Sequence, residues 1–323
     1  MTRRQASCEG DVPAVADGPR TLPRIALGCG NFGGVGSAPE FFGQGLDDAS
    51  AAELMDAAWE NGITHFDTAD GYGGGRSEAA IGRWIAARGV RPTLTSKTFH
   101  PLVPGGDRGL APERVARALQ QSLERLGVER LECYLAHEPD PEVGMGEAMA
   151  GFESQRVAGR IEAYGVSNVD SLALEQALAG GRPAVVQNGY SLLQRGDETT
   201  VLELCTRRRV AYTAHSPLCG GWLTGKYRRG APYPADSRMG QRPEAYVDVA
   251  TERTFAALDR LDAFARARGI SMAGASLAWL LADDRIAQIV LGPARPSHLA
   301  PVAEALAHPL GPAERAELGE MFA

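Results

Sequence analysis

Basic residues are in the minority in this chain, with 33 Lys and Arg against 40 Asp and Glu and a formal net charge of −7 at pH 7. A surface of that sign lacks the basic face that nonspecific nucleic-acid binding needs, although it leaves room for a local pocket for a phosphate. Cysteine is scarce: Cys8, Cys29, Cys133, Cys205 and Cys219 are odd in number and scattered, with no Cys-x-x-Cys pair. That argues against a disulfide framework or a zinc site and fits reduced thiols in a cytoplasm. The six histidines include no His-x-x-x-His pair, so no metal is expected. The longest apolar run, around Ala275 to Ala282, is too short to cross a bilayer. Arg3 and Arg4 are followed by no apolar segment, so neither a signal peptide nor a twin-arginine leader is expected. The expectation is a cytoplasmic protein with no membrane and no nucleic-acid partner, its oligomeric state open. Hydrophobic content of 44% and charged content of 23% are ordinary for a globular chain. Residues 1–20, polar with Gly and Pro, read as a tail, and residues 21–323 as a single domain.

What is present is alternation. Short apolar runs at Ile25 to Gly28, Ile63 to Phe66, Thr93 to Ser96, Leu131 to Ala136, Ile161 to Val166, Ala184 to Gln187, Val210 to Ala214 and Ile286 to Leu291 read as strands. Between them lie helical patterns at Asp47 to Asn61, Ser77 to Arg88, Pro112 to Leu126, Met145 to Ala158, Ser171 to Ala179, Glu198 to Arg208, Glu252 to Arg268, Ser271 to Leu281 and Ser297 to Ala307. Ser50 and Glu53 have the spacing of a capping box, and Pro112 and Gly127 bracket the clearest helix. Strands alternating with helices imply parallel pairing through right-handed crossovers. Eight such units in 323 residues favour an α/β fold of the closed (β/α)₈ barrel type over an open sheet. The Gly-, Pro- and Arg-rich stretch from Gly220 to Val249 is too long for a plain connection and reads as an active-site loop.

Gly28-Cys29-Gly30-Asn31-Phe32-Gly33 matches the dinucleotide fingerprint Gly-x-Gly-x-x-Gly, but its context is wrong. That motif needs a helix starting among its glycines, and here more glycines and Pro39 follow, with the first credible helix near Asp47. No tyrosine is followed four residues later by a lysine either, which removes the short-chain dehydrogenase pattern.

Catalytic groups of a barrel sit at the carboxyl ends of its strands. Strand two is followed by Asp67 and Tyr72, strand three by Lys97 and strand four by His137. Singly, the acid reads as a turn or helix-cap carboxylate, the lysine as solvated and the histidine as a satisfied polar group. Together they make a site. A phenol, with an ordinary pKa of roughly 10, becomes a useful acid when a cation lies against it and a carboxylate fixes that cation.

The chain resembles an aldo-keto reductase over about residues 22 to 307. The motifs that carry the resemblance are Phe66 to Gly73, Thr95-Ser96-Lys97, His137 to Asp140, Gly165 to Asn168, Val186 to Leu193 and the run from Ser216 to Lys226. The wording Gly220 to Tyr227 is similar to the aflatoxin-aldehyde-reductase-like and potassium-channel-β-subunit-like branches. The resemblance implies a reductase of aldehydes or ketones using NADP(H), with a keto-sugar or natural-product intermediate as candidate substrate. Tyr72 would be the general acid. Lys97 would lower its pKa, Asp67 would anchor Lys97, and His137 would orient the carbonyl oxygen. The alternative it implies is a cofactor-sensing module of the channel-β-subunit type with little turnover.

For the cofactor, the resemblance implies Ser167, Asn168 and Gln187 at the nicotinamide carboxamide. It also implies the loop Leu218 to Lys226, with Gly220 and Thr224, around the pyrophosphate, Arg295 at the adenosine 2′-phosphate, and Ser216, Pro217, His215, Gly292 and His298 as further cofactor-binding residues. Two positions depart from the family pattern. His215 stands where an aromatic stacks on the nicotinamide, which suggests a pH-sensitive activity. His298-Leu299-Ala300-Pro301-Val302 replaces the usual adenine contact. Substrate selection would fall to Phe32, Phe41, Phe42, Phe99, His100, Trp222 and residues 228–249, and their aromatics suggest an apolar or ring-bearing carbonyl.

Overall fold

The apolar runs pair in chain order. In the computed structural model, described over residues 24–323, eight parallel strands close into a barrel in the order β1 to β8, and β8 pairs back to β1. The strands are β1 (Ile25–Gly28), β2 (His65–Asp67), β3 (Thr93–Thr98), β4 (Leu131–Ala136), β5 (Ile161–Ser167), β6 (Val185–Gly189), β7 (Ala211–His215) and β8 (Ile286–Leu291). Their near-continuous burial is that of parallel strands covered by helices on the outer face. The expected tail at 1–20, with Cys8, lies outside the described residues.

The covering helices are α1 (Asp48–Glu60), α2 (Arg76–Arg88), α3 (Pro112–Leu126), α4 (Met145–Val157), α5 (Ser171–Gly180), α6 (Val201–Arg208), α7 (Arg238–Gln241), α8 (Glu252–Ala267), α9 (Met272–Leu281), α10 (Ala300–Ala307) and α11 (Pro312–Glu320). Helix α3 shows the logic: it buries Val115, Leu119, Leu123 and Leu126 and stops at Gly127 with φ of +67°. No helix of the described residues is long and apolar enough to cross a membrane.

Several expected boundaries move. Asp47 itself caps α1, its carboxylate accepting from Ser50 N at 2.8 Å, so the Ser50–Glu53 capping box is not what starts this helix. β2 begins two residues later than expected and ends on Asp67, and β3 runs on to include Lys97 and Thr98. α6 begins at Val201, not Glu198: the backbone before it turns instead, Glu198 N donating to the Arg195 carbonyl at 3.0 Å and Thr200 N to the Asp197 carbonyl at 3.1 Å. The stretch 220–249 is not plain loop: it holds 3-10 turns at Cys219–Thr224 and Pro243–Val249 and the short α7. The last expected helix opens as a 3-10 turn, Pro296–Leu299, before α10. Helix α11 was not expected. Tertiary contacts hold it: the Arg315 guanidinium lies 4.9 Å from the centroid of the Trp279 ring, and Arg315 reaches Asp283 at 2.5 Å.

Register brings the strand ends together. Gly28 pairs with Asp67, Asp67 with Thr95, Lys97 with Leu135, Ser167 with Gln187, and Gly189 with His215. Side chains two residues apart face the same way, so Asp67, Lys97, Gln187 and His215 converge on one mouth of the barrel.

Candidate active site

Asp67 is the last residue of β2 and Lys97 the fifth of β3, 2% and 1% exposed. The Lys97 ammonium donates to Asp67 Oδ1 and, at 3.0 Å, to the carbonyl of Thr68. Asp67 Oδ2 accepts from Gln187 Nε2 at 2.7 Å, so the carboxylate is engaged on both oxygens. Lys97 Nζ lies 5.2 Å from the centroid of the Tyr72 ring, which opens the 3-10 turn Tyr72–Gly75. His137, just past β4, meets Tyr72 edge-on with ring centroids 5.4 Å apart. Gly30 lies beside the phenol: a Cβ there would be in ordinary contact with the Tyr72 ring at 3.6 Å.

Burial disfavours the Lys97 charge, but Asp67 and Tyr72 outweigh it and hold the ammonium above its ordinary range. Burial raises the Tyr72 hydroxyl as well, and the pull of Lys97 in the other direction does not offset it. The expected lowering of the tyrosine pKa is therefore not the net result. Desolvation wins, and Tyr72 keeps its proton at neutral pH. Burial, with Lys97, His100 and His215 adding to it, pushes His137 well below the usual imidazole range. Neutral His137 can donate one hydrogen bond but has no spare proton, which leaves Tyr72 as the proton-bearing group beside the ammonium. His137 Nδ1 is buried with no hydrogen-bond partner among the described residues.

A second layer joins the ends of β5, β6 and β7. Ser167 Oγ donates to the Gln187 carbonyl at 2.6 Å. Asn168 donates through Nδ2 to the His137 carbonyl at 2.9 Å, and its Oδ1 accepts from His215 Nε2 at 2.9 Å. Ser216 Oγ lies 3.1 Å from His215 Nδ1, a pattern consistent with the Nε2–H tautomer. Asn168, Ser216 and Cys219 adopt φ of 55°, 54° and 46°, uncommon for residues other than glycine. Such backbone strain gathers at functional sites. Burial and Lys97 bring His215 down to about 4, with Asp67 opposing. The expected pH sensitivity from His215 therefore moves out of the neutral range.

Beyond β7, Cys219–Thr224 turns through Gly220 and Gly221 at φ of 61° and 94°. A Cβ on Gly220 would meet the Tyr246 ring at 2.4 Å, and one on Gly221 would meet Lys226 Cε at 2.3 Å, so both positions need glycine. Lys226 is lowered by partial burial; Asp236 opposes this, and Arg238 and Arg295 add to it. His298 Nε2 accepts from Arg295 Nε at 2.9 Å, while Gly292 lies exposed just past β8. The half-buried Arg238 was not singled out from sequence. Its one signal was an arginine directly after Ser237, which caps α7, inside a glycine-rich stretch. Three cations, Lys226, Arg238 and Arg295, thus stand near one another with His298 and the single carboxylate of Asp236, an excess of positive charge that an anion would relieve.

The aromatic residues expected to select substrate are placed differently. Phe32 and Trp222 are wholly enclosed and Phe99 nearly so. Trp222 packs on Tyr227, Tyr233 and Phe255 at 5.0, 6.2 and 5.6 Å, bracing the segment after β7 instead of facing a pocket. Phe41 lies under the guanidinium of Arg242 at 5.5 Å. His100 does reach the mouth, 4.8 Å from His137, with Glu138 Oε1 3.9 Å from its Nδ1.

The family model described as "Aldo/keto reductase family" matches residues 24–321. The chain belongs to the aldo/keto reductase family. Among its relatives, the L-glyceraldehyde 3-phosphate reductase of Escherichia coli is 30% identical over 303 residues, covering 88% of this chain and 84% of that one. The NADP(+) aldo-keto reductase yakc of Schizosaccharomyces pombe is 28% identical, covering 84% and 80%. Among solved structures, the glycerol dehydrogenase of Gluconobacter oxydans superposes with a TM-score of 0.80 at 25% identity, covering 94% of this chain and 92% of that one. As an aldo/keto reductase the chain is an NAD(P)-dependent carbonyl oxidoreductase on a (β/α)₈ barrel. Among the described residues no group of acidic, His and Cys side chains could hold a metal ion.

Proposed function

We propose that this aldo/keto reductase reduces an aldehyde or ketone to an alcohol with NADPH, and that Tyr72 is the general acid. The observation that carries the reading is the Asp67–Lys97 pair set against a protonated Tyr72, with the neighbouring His137 neutral. When bound, the reduced cofactor supplies a hydride to the carbonyl carbon. The residues of the chain handle the oxygen. His137 donates a hydrogen bond that orients it, and Tyr72 gives it a proton as charge develops. Lys97 favours the phenolate left behind, and Asp67 with Gln187 keeps the ammonium in place. Asp67 acts through Lys97 and is a positioning residue.

The residues fit a phosphate-bearing dinucleotide. Ser167 and Asn168 at β5, with His215 at β7, would receive the nicotinamide end. The glycine turn after Leu218 would cradle the pyrophosphate with backbone N–H groups, and Thr224, Lys226 and Arg238 would flank it. Arg295, its guanidinium held by His298, would pair with a 2′-phosphate, which favours NADPH over NADH. The NADP(+) relative supports that choice. With Phe32, Phe99 and Trp222 enclosed and His100, His137, Asn168 and Glu138 at the mouth, the reading favours a small hydroxylated carbonyl, such as a keto-sugar, over an apolar one. The names of the glyceraldehyde-phosphate and glycerol relatives lean the same way. The intact tetrad weighs against the cofactor-sensing alternative.

The test is oxidation of NADPH, compared with NADH, across a panel of hydroxylated and aromatic aldehydes and ketones. Steady turnover with NADPH is expected, fastest on hydroxylated substrates. Absence of turnover on every carbonyl, with tight NADPH binding retained, would overturn the reading.

A further inference from the structure

Asp70, Thr98 and Arg114 take no part in the chemistry above, yet they form one buried chain behind it. The backbone N–H of Asp70 donates to the carbonyl of Lys97 at 2.9 Å. Its side chain is 1% exposed: Oδ2 accepts from Thr98 Oγ1 at 2.6 Å, and Oδ1 is buried with no hydrogen-bond partner among the described residues. Thr98 Oγ1 accepts from Arg114 Nη1 at 2.7 Å, and the Thr98 carbonyl accepts from His137 N at 3.0 Å. Arg114, on α3, also donates to the carbonyls of Gly109, His100 and Asp107 at 2.9, 3.1 and 3.2 Å. One buried guanidinium thus grips three points of the loop between β3 and α3, the loop that sets His100 against His137. A threonine hydroxyl has a single proton, which the Asp70 bond uses, so the direction of both hydrogen bonds is fixed.

We propose that Asp70 is a positioning residue: ionised, it holds the Thr98 hydroxyl and through it Arg114, pinning residues 99–111 and His100 at the mouth of the site, and on protonation it relaxes that grip. The kinetic arm of this inference rests on the carbonyl-reductase reading; the structural arm does not. A carboxylate with no direct cation contact and one bare oxygen is costly to bury, so it is poised to take up a proton. Facing it are Thr98 from β3, Arg114 and Arg125 from α3, the Tyr134 ring from β4, and Glu78 from α2, itself paired with Arg125 at 2.7 Å. Burial and the Glu78 charge push Asp70 up to about 7, with Thr98, Arg114 and Arg125 opposing. The three imidazoles at the mouth titrate well to the acid side, and Tyr72 and Lys97 lie above their ordinary values. Glu138 is raised by partial burial, with Arg108 opposing, and needs its own control.

The experiment compares the full chain with Asp70→Asn, Thr98→Val and Glu138→Gln. Steady-state kinetics with NADPH and 4-nitrobenzaldehyde are run from about pH 5.5 to 8.5, spanning the expected titration. In the unmodified protein the aldehyde KM should fall as pH rises through about 7. In Asp70→Asn and Thr98→Val the KM should be about tenfold higher above that pH and flat, with kcat within about threefold, as expected for loss of a charge-assisted hydrogen bond. Glu138→Gln should keep the step. Persistence of the step in Asp70→Asn, or its loss in Glu138→Gln, would overturn the inference. Hydrogen exchange over residues 99–111 supplies the arm that needs no turnover. At about pH 8 Asp70→Asn should exchange faster than the unmodified protein, and at about pH 6 the two should converge. Equal protection at the higher pH would overturn it. If Asp70→Asn does not fold, Thr98→Val decides both arms. If the unmodified protein reduces no carbonyl, the reductase reading fails and the exchange result still judges the device.

Discussion

Asp67 and Asp70 stand three residues apart on the same strand end, both almost fully buried, and they face opposite ways. Asp67 turns into the barrel, where it meets an ammonium and a side-chain amide. Asp70 turns outward toward α3 and meets a hydroxyl, with the nearest guanidinium one bond further on. A direct cation lets a carboxylate stay ionised in a low-dielectric interior, whereas a hydroxyl bridge only partly replaces water. The first carboxylate is therefore placed to anchor the Lys97 ammonium, and the second to respond to pH.

The largest way to break the contrast is to remove the proposed proton donor. Tyr72→Phe should lower turnover by about a thousandfold or more while NADPH still quenches protein fluorescence normally. Full activity in this variant would remove Tyr72 from its role, and the function of Asp67 with it. Next, Asp67→Asn strands the buried Lys97 charge and should cost about 3–5 kcal/mol in urea unfolding, at neutral and at alkaline pH alike.

Asp70→Asn should act with the opposite sign and in a defined window. The folded protein holds the Asp70 proton up to about 7, against an ordinary value of 3.8. Between those values the native state binds more protons than the unfolded chain, so this group subtracts stability as pH rises. The variant should match the unmodified protein near pH 4 and gain a few kcal/mol by about pH 8, of the order of 1.4 kcal/mol per pKa unit. A loss of stability at both pH values would make the two carboxylates alike and erase the comparison. The smaller effects lie at the cofactor. Arg295→Ala should raise the KM for NADPH about tenfold and leave that for NADH unchanged, since only the former carries the 2′-phosphate. His215→Phe should leave the pH profile near neutrality unmoved, because burial already keeps the imidazole neutral there.

The barrel was legible because each strand was a short apolar run and each helix an amphipathic one. β4, β8 and α3 were bounded residue for residue by their own composition. The meeting of Asp67, Tyr72, Lys97 and His137 was legible because residues that follow neighbouring strands of such a fold gather at one mouth of the barrel. What sequence could not show depends on contacts between distant segments. Helix α11 is held by Arg315 against Trp279 and Asp283, partners about thirty residues away. Trp222 looked like pocket lining until its enclosure by Tyr227, Tyr233 and Phe255 was visible. Asp70 was not singled out from sequence because Thr98 and Arg114 lie on other elements, and nothing local marks it as buried. The glycine fingerprint at Gly28 to Gly33 was rightly set aside, since α1 starts only at Asp48.

The most direct measurement is single-turnover oxidation of NADPH by saturating aldehyde at about pH 8, run on the unmodified protein, Asp67→Asn and Asp70→Asn in parallel. The account predicts rapid oxidation in the unmodified protein, a slowing of about a hundredfold in Asp67→Asn, and a rate within about threefold of the unmodified one in Asp70→Asn. An equal loss in both variants, or no oxidation in the unmodified protein, would contradict it.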